Sequence, residues 1–289
     1  MRVWFACLLL FLAAAAHADG FTVTDDSGAQ IAFDAPPQRI ISLAPSTTEL
    51  AYAAGMGDRL VAVTAYSDFP EAAKKLPQVG DAFRLDWERI LALKPDLILA
   101  WNSGLSARDR AAFEKFKLKL LVLEPRRLDD IPGSLRLLGH VAGTQAVAET
   151  AARNFEQRRD ALRNRYAARS VVRAYFQIAA APMLTINGEH IISDVLHLCG
   201  ADNVFAAAPL LTPVVSSEAL VKEQPQILLG IADTGEQSEE IRKLWRKLPL
   251  HAVMKGDMAF VSSDLISRPS PRILLGAEQV CNKVESSRH

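Results

Sequence analysis

Two acidic residues of this chain sit in matching phrases. Glu88 leads Glu-Arg-Ile-Leu-Ala-Leu-Lys-Pro95, and Glu218 leads Glu-Ala-Leu-Val-Lys-Glu-Gln-Pro225, each seven residues ahead of its proline. A short helical stretch lies between acid and proline in both, and an apolar strand follows, running to Ala100 and Gly230. A carboxylate at the head of a helix is favoured by the macrodipole, which is reason enough for one to be there. A pair of them, one in each half, also suits a partner with two matching contacts and suggests a cleft between two similar lobes. Chance remains an alternative, because helix-to-strand connections often contain proline.

Other chemistry is sparse. The chain has no Gly-x-Ser-x-Gly elbow, no phosphate loop and no His-Glu-x-x-His. Ser46 follows a proline at a strand-to-helix turn, where capping is its simplest role. His190 and His197 are seven apart and could share a helix face, but surface positions are the simpler reading. A zinc or manganese receptor needs three or four convergent ligands, and the pattern offers none.

The elements that must carry these residues alternate. Phe21 to Phe33 reads as a β-hairpin turning at Asp25-Asp26-Ser27-Gly28. Strands are expected at 39–43, 60–64, 97–101 and 119–123, with helices opening near Thr47 and covering 87–93 and 107–116. Such alternation predicts a mainly parallel sheet covered on both faces. Residues 144–169 break the rhythm with a stretch free of Gly and Pro, with Val147, Ala151, Phe155, Leu162 and Tyr166 near one face. At 1.5 Å per residue that helix would run roughly 39 Å, enough to cross a domain. It reads as a rigid connector between two α/β lobes, residues 19–143 and 170–289; a surface helix of one larger domain is the alternative. Strands resume at 171–178 and 227–231.

The N-terminus has the pattern of a secretory signal peptide over residues 1–18: Arg2, an apolar run from Val3 to Ala16, and Ala16-His17-Ala18 as a small-x-small cleavage site. An uncleaved anchor is the alternative, though the run is short for a span. Cleavage leaves 271 residues (289 minus 18), enough for two domains with their own cores. The 33 basic and 33 acidic residues balance, which argues against electrostatic capture of nucleic acid. Cleavage also removes Cys7 and leaves Cys199 and Cys281. A lone pair in an exported protein is most simply one disulfide, and two free thiols are the alternative.

Arg39-Ile-Ile-Ser-Leu-Ala-Pro-Ser-Thr-Thr-Glu49, Tyr66-Ser-Asp-Phe-Pro70, the Glu88 phrase through Trp101, Val195-Leu-His-Leu-Cys199, Asn203-Val-Phe205, Ser270-Pro-Arg-Ile-Leu274 and Gln279-Val-Cys281-Asn282 together resemble the periplasmic binding proteins that deliver large chelates to ABC importers. Within that family the likeness is greatest to the cobalamin (vitamin B12)-binding type, and it spans nearly the whole mature chain. It implies an α/β fold of two lobes with mainly parallel sheets, joined by a single long backbone helix. It implies no enzymatic activity and no cofactor, because the cobalamin or related corrinoid ligand carries its own cobalt. It implies a monomer in the periplasm whose partner is the membrane-subunit dimer of an ABC importer, with Glu88 and Glu218 docking onto arginines of that dimer.

The resemblance also implies a ligand site. Tyr66, Phe83 and Trp101 would supply apolar walls, and Asp264, Leu265, Ile266, Ser267 and Arg268 a loop facing the ligand, with Asp264 and Arg268 bonding its amides or phosphate. The chain departs from the family where Ala82, Thr212 and Leu265 stand in place of Trp and Leu184 in place of Phe. Each lost ring removes on the order of 150–250 Å² of contact surface. A dry, partly apolar cleft with modest lobe closure is expected. A ferric-siderophore or haem receptor is the alternative on the same fold.

Overall fold

The structure, a computed structural model, describes residues 20–288, so the expected signal peptide lies outside the described residues. It opens with the antiparallel hairpin β1 (Phe21–Thr24) and β2 (Gln30–Phe33). The Asp25 carboxylate accepts the backbone N–H groups of Ser27 and Ala29 in the turn, and Gly28 takes φ +84°, a value open to glycine at little cost.

The first lobe runs β3 (Ile40–Ser42), α1 (Pro45–Ala53), β4 (Leu60–Val63), α2 (Trp87–Ala92), β5 (Leu97–Trp101), α3 (Ala107–Lys115), β6 (Leu120–Leu123) and α4 (Asp130–Ala142). Then α5 (Gln145–Tyr166) leads into the second lobe. That lobe begins β7 (Val172–Gln177), α6 (Ile191–Leu198), β8 (Ala201–Asn203), α7 (Ser217–Glu223) and β9 (Ile227–Ile231). It finishes with α8 (Gly235–Trp245), α9 (His251–Lys255), β10 (Met258–Val261), α10 (Ser263–Ile266) and α11 (Ile273–Ser286). Each lobe holds a four-stranded parallel sheet, β4-β3-β5-β6 and β10-β9-β7-β8. Read from its other edge, the second order is β8-β7-β9-β10. The two sheets then share one topology, with β3 matching β7 and β5 matching β9.

The sequence repeat is equally a repeat of local geometry. Glu88 and Glu218 each occupy the second position of their helix. Asp86 caps α2 by accepting the Arg89 N–H, and Ser216 caps α7 by accepting the Ala219 N–H. Both helices close on a non-glycine residue in the left-handed region just before the proline: Lys94 at φ +46° and Gln224 at φ +44°. The prolines end both helices, since the right-handed helical region is disfavoured directly before a proline. Arg39 donates to the Leu93 carbonyl and Arg173 to the Glu223 carbonyl, satisfying helix-end acceptors in both lobes.

Helix α5 is shorter than residues 144–169, and its buried row is Ala148, Ala152, Phe155, Leu162 and Tyr166. Val147, expected on the inner face, is half exposed (52 %). Close packing on α4 sets this phase: a Cβ at Gly139 would stand 2.3 Å from the Ala148 Cβ, so only glycine lets the two helices approach there. Cys199, at the end of α6, is bonded to Cys281 in α11 across 82 residues.

A second tie crosses between the lobes. Glu49, on α1 of the first lobe, has a side chain only 2 % exposed. Its Oε1 accepts from Arg268 at 3.1 Å and Arg272 at 2.5 Å; its Oε2 accepts from Arg272 at 3.0 Å and the Ser270 hydroxyl at 2.6 Å. Arg272 lies flat over Phe69, 4.0 Å from the ring centroid. Arg268 also donates to Asp68 at 2.6 Å and to Asp264. Burial alone would push the Asp68 carboxyl up, but Arg268 outweighs it and holds that group below the usual range.

Two predictions follow from these ties. Glu49→Ala leaves Arg272, largely shielded from water, without an anionic partner, and should lower unfolding stability by about 3 kcal/mol. It should also enlarge the radius of gyration in solution scattering; an unchanged denaturation midpoint would refute the role. Unreduced peptide mapping should recover Cys199 joined to Cys281, and Cys281→Ser should cost roughly 4 kcal/mol, as expected for so long a loop.

Candidate ligand-binding site

Parallel sheets gather functional residues at the carboxyl ends of their strands. Here the two sheets turn those ends toward a shared cleft. Ala44, Pro45 and Ser46 follow β3, Tyr66 follows β4, Trp101 ends β5, and Glu124 to Arg126 follow β6. From the other lobe come Ile178 after β7, Ile231 at the end of β9, the start of α6, Leu211 and Thr212, and the segment from Ser263 to Pro269. Two hollows of about 270 and 310 Å³ meet along Trp101, Ser267 and Pro269.

Tyr66 is the most unusual residue of the cleft. It is 77 % exposed and takes φ +65°, although it carries a bulky side chain. Such a conformation costs of order 1 kcal/mol or more and persists only where its surroundings fix it. The fixing bonds are at hand: Ala65 N–H donates to the Gly80 carbonyl, and Asp68 N–H donates to the Tyr66 carbonyl.

The expected site residues divide by location. Tyr66, Trp101, Asp264, Ser267 and Arg268 line one hollow together. Phe83 does not join them. Its ring is 97 % exposed on a loop that Asp81 holds by accepting the Phe83 and Arg84 N–H groups. It borders a separate hollow of about 960 Å³ with Trp87 and Arg108. Ile266 corrects the expectation outright: it is fully buried in the core, because α10 turns its apolar side inward onto α11. Leu265 is half-buried, and its carbonyl packs so closely on Gly276 that a Cβ there would lie 2.6 Å away. Arg268 lines the cleft, and both its terminal nitrogens donate to carboxylates of the protein, which ties the cleft wall to Glu49, Asp68 and Asp264.

The positions where the chain departs from the family divide similarly. Thr212 is exposed and lines the second hollow, while Leu184 is half-buried and bridges to Ala179 and Val214. Ala82 lies exposed beside Phe83. Glu88 and Glu218 are exposed, and among the described residues neither makes an ion pair.

Several cleft residues were not expected. Ser46 lines the cleft and does not cap α1: the cap position is Ala44, and Pro45 begins the helix. Thr47 and Thr48 instead donate to the Ala44 carbonyl, at 3.0 Å each. His190 is half-buried. Its ring caps α6 by accepting the Ile192 N–H, and burial together with nearby Arg126 pushes its pKa down to about 4. Cap and last turn place His190 and His197 in different settings, so they form no pair. Histidine is not among the residues whose type signals a cap, so nothing in the sequence marked this one.

The family model described as "Periplasmic binding protein" matches residues 40–255, well over half of the chain. The vitamin B12-binding protein of Pectobacterium carotovorum subsp. carotovorum (strain PC1) is 40 % identical over 250 residues, covering 86 % of this chain and 88 % of that one. The vitamin B12-binding protein of Yersinia pestis (strain Pestoides F) is 40 % identical over 249 residues, covering 86 % and 87 %. Among solved structures, the periplasmic vitamin B12 binding protein BtuF of Vibrio cholerae superimposes with a TM-score of 0.80 at 36 % identity, over 88 % of this chain and 98 % of that one. The apo haem-binding protein RhuT of Roseiflexus sp. RS-1, at 21 % identity and a TM-score of 0.76 over 87 % and 99 %, shares the fold. The chain therefore belongs to the periplasmic binding protein family.

Proposed function

We propose that this protein is a periplasmic receptor that captures cobalamin or a related corrinoid and delivers it to an ABC importer. The observation that carries this reading is the cleft itself: Tyr66, held exposed in a strained conformation, and Trp101 face one hollow between two lobes, in a chain 40 % identical to proteins named for binding vitamin B12. A corrin ring has broad apolar faces fringed with amides, and such faces suit aromatic walls beside a polar loop. Asp264 and Ser267 are the polar groups of that loop nearest the aromatic pair.

The protein works by binding and release, without catalysis and without a cofactor of its own; the cobalt arrives with the cargo. Residues 1–18 act as a cleaved signal peptide, and residues 19–143 and 170–289 are the lobes on either side of a connector at 144–169. The mature protein acts as a monomer. Glu88 and Glu218 dock on cationic residues of the importer's two membrane subunits. Their equivalent places, each second in a helix of matching topology, suit a two-fold partner. Charges so placed speed encounter and fix register more than they add affinity.

Calorimetric titration of the mature protein with cyanocobalamin should give one-to-one, sub-micromolar binding. Tyr66→Ala and Trp101→Ala should each weaken it about tenfold. Binding of a ferric siderophore or haem in place of any corrinoid would transfer the cleft to the alternative ligand class. In vesicles carrying the importer, Glu88→Arg with Glu218→Arg should abolish uptake and leave cyanocobalamin affinity unchanged. Wild-type uptake by that double variant would refute the docking assignment.

A further inference from the structure

The second hollow holds a donor that the cleft reading leaves unused. His190 lines it together with Trp101, Glu124, Arg126, Ile178 and Thr212, residues from both lobes. Its ring is anchored on one side only: Nδ1 accepts the Ile192 backbone N–H at 3.2 Å, as the cap of the eight-residue helix α6. A ring nitrogen that accepts a hydrogen bond carries its lone pair there, so the proton of the neutral ring sits on Nε2. Among the described residues Nε2 has no hydrogen-bond partner, and it is not among the enclosed, unpartnered polar atoms.

The charged groups around it are occupied elsewhere. Glu189 faces Arg126 at 3.7 Å, and Glu124 accepts from the Ser103 N–H and hydroxyl at 2.8 and 2.7 Å. Asp194 accepts the Leu128 N–H at 2.8 Å. Among the described residues no carboxylate accepts the imidazole N–H, and the low pKa keeps the ring neutral at ordinary pH. A neutral ring with its proton on Nε2 can donate, and it cannot coordinate a metal through that nitrogen. The opposite tautomer would set an N–H against the Ile192 N–H and remove the cap.

Resting on the corrinoid reading above, we infer that His190 is a ligand-contacting donor, locked as the Nε2–H tautomer by its capping role, that serves a carboxamide oxygen on the rim of the corrinoid and leaves its cobalt alone. Thr212, exposed where relatives of the cobalamin-binding type are expected to carry a large ring, leaves room beside it for such a side chain.

Three measurements test this. Long-range nitrogen–proton NMR on the ligand-free protein should show His190 protonated at Nε2; protonation at Nδ1 overturns the inference. His190→Asn keeps a side-chain acceptor for the cap and ends short of the Nε2 position, and His190→Ser does the same with a hydroxyl. Both variants should melt close to wild type and bind cyanocobalamin about fivefold more weakly. Unchanged affinity in a folded variant overturns the inference while the corrinoid reading stands. Diaquocobinamide, whose axial positions exchange, should bind wild type without the absorption change of imidazole ligation; such a change, lost in the variants, overturns it as well. If wild type binds neither corrinoid, the functional reading falls and this inference falls with it.

Discussion

Glu49 carries a charge that has been taken almost wholly out of water, and the two arginines and the serine that compensate it all come from the opposite lobe. Burying a carboxylate is costly unless paired charges and hydrogen bonds surround it. Glu49 therefore stays buried only while the lobes stand in one relation. The same arginines reach onward to Asp68, Asp264 and the face of Phe69. Asp68 lies two residues from strained Tyr66, and Asp264 lies on the opposite cleft wall. The network that fixes the lobes thus also fixes the two edges of the hollow.

Other ties act along the chain and within the second lobe. Among the described residues α5 is the long helix that leads from one lobe to the other, its small residues seat closely on α4, and the disulfide ties α6 to α11 inside the second lobe.

The internal repeat is carried by the two folds alike. Matching sheets, matching caps, matching left-handed exits before a proline and matching arginine-to-carbonyl bonds place Glu88 and Glu218 in equivalent frames. Neither acid is held by an ion pair among the described residues. The cleft between the repeats is less symmetric. Its first-lobe wall carries Tyr66 and Trp101, while its second-lobe wall carries His190, Thr212 and the Ser263–Pro269 segment. The two helix-borne acids thus sit in like frames while the cleft walls differ.

Alternation of short apolar runs with helical stretches was enough to predict mainly parallel sheets covered by helices, and the long Gly- and Pro-free stretch left a connector and a surface helix both open. Local patterns decide local structure: prolines end helices, Gly28 permits its turn, and the cysteine pair in an exported chain points to a disulfide. The Glu88 and Glu218 repeat was equally visible, because it is a pattern along the chain. Tertiary structure alone decided what meets across the lobes. Glu49 and Arg272 are 223 positions apart, so no window of sequence reveals their pairing. The phase of α5 against α4, which buries Ala148 and exposes Val147, depends on a glycine in another helix. Ile266 falls in the core and Phe83 away from the Trp101 hollow for the same reason. Sequence specifies which residues are near in the chain and which prefer burial, whereas a binding surface is set by the relative orientation of packed bodies, an outcome of contacts that no neighbouring residues record.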